Sequence, residues 1–185
     1  VQDCTSSDVN ADTKRRIIME EKKYAVLIDG DNISSKYLDS ILNEMTKYGI
    51  ATYKRIYCDF TSQQSSKWRR LVRDSGIQAM QQFANTVGKN ATDSTLIIDA
   101  MDILYTGNVD GFCIVSSDGD FTRLAIRLKE SGMDVIGMGE SKTPRSFRAA
   151  CTVFTDLEIL YEAESEDDEI STKGKKPAVK HNVVK

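Results

Sequence analysis

The chain has 185 residues, of which 40% are hydrophobic and 29% charged, with a formal net charge of −3. That length leads us to expect one domain with tails, and the composition is too apolar for wholesale disorder. No apolar run approaches the roughly 18 residues of a membrane helix, and the opening Val1-Gln2-Asp3-Cys4 lacks the basic-then-apolar pattern of a signal peptide, so no membrane partner is expected.

Residues 1–18 are polar and without periodicity, which predicts a flexible arm ahead of a domain spanning 19–161. The apolar run Tyr24 to Ile28 suits a buried strand. Tyr37, Leu38, Ile41, Leu42 and Met45 recur at spacings of three and four, which predicts a helix over 35–48 stopped at Gly49. Residues 51–57 are β-branched and aromatic, as strands are. Trp68, Leu71 and Val72 share one face of a helix over 64–75 that ends at Gly76, and 77–83 reads as a strand. A helix over 93–105 is capped by Thr92 or Asp93. Then follow a strand at 111–115, a helix over 120–131 stopped by Gly132, a strand at 134–138, a short helix after Pro144, and a last strand near 152–154. From Glu162 the composition changes to EAESEDDEI and then STKGKKPAVKHNVVK, an acidic block followed by a basic one. Residues 162–185 therefore read as a charged linker or tail. The β-α repeat predicts an α/β fold, a parallel sheet covered by helices on both faces.

The four cysteines, Cys4, Cys58, Cys113 and Cys151, form no C-x-x-C pair. Zinc is not expected, and scattered thiols in apolar surroundings fit a reducing, cytoplasmic setting. The single histidine, His181, lies in the tail. A Ser-His-Asp triad or a paired-histidine ribonuclease mechanism has no histidine to use in the folded part. Hydrolysis, if any, must come from carboxylates together with a metal.

In such folds ligands gather at the carboxyl ends of the strands. The first strand runs into Asp29-Gly30-Asp31-Asn32, and the fourth into Ser116-Ser117-Asp118-Gly119-Asp120. If these strands are neighbours, both D-G-D segments face one crevice. Asp93, beside Lys89-Asn90, is a third contributor. Clustered carboxylates repel unless protonated or bridged by a cation, and oxygen ligands without histidine or thiolate favour Mg²⁺ or Mn²⁺. Each D-G-D also fits an ordinary turn, and Asp93 a plain helix cap. Asn32 can serve a turn or orient a water or substrate oxygen. Asp99 lies about 120° around the helix from Asp93, so it need not share that site, and no role is assigned to it or to Asp31.

The runs AVLIDGDN, GKNATDSTLIIDAMDILY and FCIVSSDGDFTRLAIRLKESG occur in that order and resemble the three core motifs of the NYN domain family, LabA-like branch, within the PIN-like nuclease superfamily. PRSFRAACTVFTDLEIL is similar to the family's closing helix and strand, so the resemblance covers roughly 24–161. It implies a three-layer α/β/α sandwich with a mostly parallel, Rossmann-like sheet. It also implies a divalent-metal-dependent nuclease, a ribonuclease with single-stranded RNA as partner and products bearing 5′-phosphate and 3′-hydroxyl ends. Carried over by position, the catalytic and metal-site residues are Asp29, Asp93, Asp118 and Asp120, with Asn32 beside them. Some family members carry a winged-helix-like RNA-binding module downstream, where the 162–185 tail leads.

Residues 24–161 hold 15 basic and 17 acidic residues, a net of −2 that becomes +2 without the four candidate ligands. This is not the footprint of a simple nucleic-acid binder. The positives are locally dense, at Lys54 and Arg55, at Lys67, Arg69, Arg70 and Arg73, and at Lys142, Arg145 and Arg148. Lys89, Arg145 and Arg148 are the expected contacts to RNA phosphate. Trp68 is expected in the core rather than as a base-stacking platform. Two other functions fit parts of the sequence. One is a non-catalytic RNA-binding or regulatory module on the same fold. The other is a haloacid-dehalogenase-type phosphatase with Asp29 as nucleophile and Asp31 as acid, which leaves GKNATD unexplained.

Overall fold

The computed structural model of the chain describes residues 21–63, 65–82 and 91–173, with backbone alone at 91–93 and 167–173. The expected arm at 1–18, the Lys89 position and the last part of the tail lie outside the described residues. The elements alternate along the chain. They are β1 (Lys23–Asp29), α1 (Leu38–Met45), β2 (Ile50–Cys58), α2 (Ser66–Ser75), β3 (Gln78–Gln81), α3 (Ala91–Thr106), β4 (Gly111–Val115), α4 (Thr122–Glu130), β5 (Asp134–Gly139), α5 (Arg145–Ala150), β6 (Val153–Asp156) and α6 (Leu157–Lys173). Single 3₁₀ turns at Ser35–Tyr37 and Gly119–Phe121 lead into α1 and α4. The helices α2 and α4 stop where glycine was expected to stop them. Gly76 and Gly132 take φ of 64° and 81°, a conformation a side chain disfavours.

The six strands form one sheet in the order β3-β2-β1-β4-β5-β6, and all pairings are parallel. The chain runs outward from β1 to β3, returns to lay β4 on the free side of β1, and runs outward again. This arrangement places a switch point, and the crevice that goes with it, between the carboxyl ends of β1 and β4.

A central strand covered on both faces should be continuously apolar rather than alternating. Every residue of β1 from Tyr24 to Asp29 is buried, as is all of β4. Val26 and Ile28 pack on one face with Ile41 and Met45 of α1, Trp68 of α2 and Leu157 of α6. Ala25 and Leu27 pack on the other with Leu96 of α3, Leu128 of α4 and Phe147 of α5. The result is the three-layer sandwich expected. Among the described residues no helix is long and apolar enough to cross a membrane.

The end of the domain differs from the expected limit at Glu162. The chain stays helical from Leu157 to Lys173. Leu157 and Leu160 anchor the first turn in the core, and the run of Glu and Ala that follows favours continued helix. Tyr161 meets Tyr37 edge-on, with ring centroids 5.7 Å apart, and Glu164 accepts a hydrogen bond from the Ser40 hydroxyl. The first turn of the expected tail is thus docked on α1.

Candidate functional site

The site is built on the seam between β1 and β4. Ile28 lies opposite Val115, so Asp29, the last residue of β1, is level with Ser116. Asp29 is fully buried. Its Oδ2 accepts hydrogen bonds from the Ser116 hydroxyl at 2.7 Å and the Asn32 side-chain amide at 2.8 Å. Among the described residues, its Oδ1 accepts only the Asn32 backbone N–H, at 3.3 Å. Burial pushes the Asp29 carboxyl above the ordinary carboxylate range. The hydrogen bonds from Ser116 and Asn32 pull the other way, and the charge of Asp31 adds to the rise. No lysine or arginine among the described residues pairs with it.

The two D-G-D segments are neighbours, but they do not occupy equivalent positions. Asp29 ends its strand, whereas Asp118 stands three residues beyond Val115. The two intervening serines are both largely buried. Ser116 Oγ accepts the Asp118 N–H at 3.0 Å while donating to Asp29, and Ser117 Oγ accepts the Glu140 N–H at 2.9 Å. Asp118 Oδ1 then accepts the Asp120 N–H at 2.9 Å, capping the turn that opens α4. A chain of hydrogen bonds therefore runs from Asp29 through Ser116 to Asp118 and Asp120. Asp118 is half-buried and Asp120 exposed.

Asp93 lies near the start of α3, and its side chain is outside what the structure describes. Among the described residues, no three carboxylate, imidazole or thiol groups lie close enough together to hold an ion. The donors at the seam are nonetheless of one kind. Carboxylate oxygens are hard ligands, and the nearby thiol, Cys58, is pushed up to about 12, first of all by burial, so it stays neutral. A buried carboxylate with no cation partner among the described residues, linked through Ser116 to two more carboxylates on the adjoining loop, offers hard oxygen donors of the kind a divalent metal takes.

The loop after β1 is held from behind. Gly30 N donates to Tyr57 O at 2.8 Å, and the Trp68 indole N–H donates to Gly30 O at 3.0 Å. A Cβ at Gly30 would stand 2.9 Å from Ile56 Cδ1 and 3.1 Å from Cys58 Cβ, so the loop lies against β2 only because residue 30 has no side chain. Asp31 turns to that strand too, its Oδ1 accepting the Asp59 N–H at 3.3 Å.

Several basic residues take other parts than phosphate contact. The Arg148 guanidinium donates to the carbonyls of Glu140, Ser141 and Thr143 and to Asp156 at 3.2 Å, clamping the β5–α5 loop. Arg55 donates to Asp99 and to Gln78, and the Tyr57 hydroxyl also donates to Asp99. Asp99 is thus the acidic partner of β2. Arg145 is exposed and makes no hydrogen bond or ion pair with a described residue. Trp68 is in the core, as expected, but its indole N–H also supports the site. Ser116 went unread in the sequence. Its signal was a polar residue directly after an apolar strand, level with Asp29 once the strands are paired.

Residues 23–158 match the NYN domain. The chain belongs to the NYN domain family. NYN is a family of PIN-like nucleases, and a solved structure shares the α/β fold. A protein of unknown function from Vibrio parahaemolyticus aligns with a TM-score of 0.61 and 18% identity, over 74% of this chain and 93% of that one. An uncharacterized protein of Methanocaldococcus jannaschii is 27% identical over 125 residues, 64% of this chain and 48% of the relative. The chain thus spans about half the length of that curated relative. The matched range, residues 23–158, includes both D-G-D loops and the start of α3.

Proposed function

We propose that this NYN domain is a divalent-metal-dependent ribonuclease of the LabA-like branch, hydrolysing phosphodiester bonds of single-stranded RNA at the β1–β4 seam. The observation that carries the reading is Asp29, a carboxylate buried at the sheet's switch point with no cation beside it among the described residues. Such a group is costly to keep ionised unless a cation joins it. Asp29 and Asp118 would hold Mg²⁺ or Mn²⁺, with Asp93 and Asp120 as the outer carboxylates. A divalent ion there would supply neutralisation of the phosphodiester charge and acidification of a water for in-line attack.

The chain's own residues set the geometry. Ser116 and the Asn32 amide both engage Asp29 Oδ2, so the lone pairs left to offer belong mainly to Oδ1. Asn32 is therefore a positioning residue for Asp29, with one of its two amide N–H groups given to Oδ2. Lys89 and Arg145 remain the proposed phosphate contacts, and the internal bonds of Arg148 make it a loop clamp instead. The phosphatase reading has less support, because residues 23–158 match the NYN domain and that reading leaves GKNATD unexplained.

A non-catalytic RNA-binding module is the second reading, favoured by the absence of a three-ligand cluster among the described residues. Single-turnover cleavage of a labelled single-stranded RNA separates the two. We expect shortening of the RNA in Mn²⁺, none in EDTA, and a steep loss in Asp29→Asn. Binding without cleavage in any divalent metal would favour the second reading.

A further inference from the structure

Toward the β3 edge of the sheet, beyond β2 from the seam, lies a groove of about 440 Å³ lined by Phe60, Arg69, Val72, Arg73, Ala79 and Gln81. It runs between α2 and the edge strand β3, at the carboxyl ends of β2 and β3. We propose that it takes a base of single-stranded RNA whose phosphates run along α2. This rests on the ribonuclease reading for its substrate class, and adds to it where the strand lies once outside the crevice.

The groove is tied to the site by short links. Asp31 holds the Asp59 N–H, and Phe60 is the next residue. Arg69 donates to Phe60 O and to Ser62 O, fixing the loop to α2. The same helix supports Gly30 through Trp68. A strand leaving the Asp29 crevice on the β2 side meets this wall next.

Its chemistry suits a nucleotide. Phe60, Val72 and Ala79 give apolar lining, with Phe60 and Val72 packed against the core and Ala79 exposed. The floor is rigid. Gln81 accepts the Phe60 N–H at 3.1 Å and donates to Asp59 at 3.0 Å, so its amide is already engaged. With the Gln81 amide engaged, the floor offers apolar surface to stack on, and Arg73 at the rim offers charge to a phosphate. The rim supplies charge. In a chain of net −3, the ten residues of α2 carry four basic side chains and one acidic one. Lys67, Arg70 and Arg73 are exposed and make no hydrogen bond or ion pair with a described residue. Arg69 is engaged with the loop, so Arg73 is the cation of the groove itself. Apolar lining with a cationic rim fits an unpaired base flanked by phosphates, whereas a duplex offers phosphates with its bases stacked away.

The test is fluorescence anisotropy of the full chain in EDTA, with a labelled 12-nucleotide single-stranded RNA, its duplex, and an abasic strand of equal length. Arg73→Gln should weaken single-strand binding several-fold and flatten its salt dependence. Phe60→Leu keeps the apolar packing and removes the ring. It should weaken binding of the base-bearing strand about tenfold and leave the abasic strand unchanged. Unaltered affinity in both variants, with normal thermal melts, overturns the groove assignment, as does a Phe60→Leu loss equal on both strands. The catalytic reading fails separately. If the wild type binds RNA in EDTA but does not cleave it in Mn²⁺, the groove stands and the ribonuclease does not. If both variants bind as the wild type does while Mn²⁺-dependent cleavage persists, the reverse holds.

Discussion

Ser116 is the residue on which the two loops of the site depend. It donates to Asp29 and accepts from Asp118 N–H, and it is fully buried. Ser116→Ala leaves the Asp118 N–H without its acceptor and removes one of two strong donors from Asp29. We expect a loss of about 1–3 kcal/mol in urea denaturation, and a drop in metal-dependent cleavage of about 10–100-fold, as for partners that orient a metal ligand. Asp29→Asn should behave in the opposite sense on stability. The folded-state pKa of Asp29 is raised, so between the ordinary carboxylate range and that raised value the folded chain holds a proton the unfolded chain has lost. Its contribution to stability is therefore complete at low pH and falls as pH rises through that window. Asparagine has no such slope, and its carbonyl can still accept from Ser116 and Asn32. Denaturation in EDTA from pH 4 to 7 should show the variant at least as stable as the wild type at neutral pH, with a flatter profile. A variant that is less stable throughout would mean the carboxylate serves as structure alone.

At the scale of elements, β1 and its loop owe their place to β2. Gly30→Ala puts a methyl within 2.9–3.1 Å of Ile56 and Cys58, both fully buried and with nowhere to retreat. We expect about 1–3 kcal/mol of destabilisation from overpacking, read by thermal melting, together with weaker metal binding as the Asp29–Asp31 loop lifts from β2. The alternation of elements was legible in the sequence because α1 and α2 show a helical apolar period and the central strands an unbroken apolar run. The offset between the two D-G-D segments was not. The serines at 116 and 117 were visible, but only the pairing of Ile28 with Val115 shows that Ser116, and not Asp118, stands level with Asp29. Nor did charge density show which arginines face solvent. Arg148 is drawn inward by the carbonyls of its own preceding loop and by Asp156, and Arg55 by Asp99, 44 residues away. The α6 extension was hidden for a related reason: an acidic, polar run looks solvated until a neighbour such as Ser40 receives Glu164.

For the whole molecule, the metal reading makes stability conditional on the ion. A cation bound by the folded chain alone adds RT ln(1 + [L]/Kd), about 2.7 kcal/mol at a hundredfold excess over Kd. Thermal melts in Mn²⁺ and in EDTA should differ by that order, and the difference should vanish in Asp29→Asn. A difference that persists in the variant would place the ion elsewhere.

The seam has a further consequence, in time rather than in space. Asp29 and Ser116 are 87 residues apart in the chain, yet the buried bond between them is the first link of the site. Closing so long a loop is a late, entropically opposed event. On the ribosome, β1, β2 and β3 emerge well before β4 exists to lie beside β1. The nascent half-domain carries the first D-G-D loop but not the second, so no competent centre exists until synthesis has passed Asp120. Under the ribonuclease reading proposed above, no unfinished fragment carries both halves of the seam, and the messenger stays out of reach of the domain being made from it.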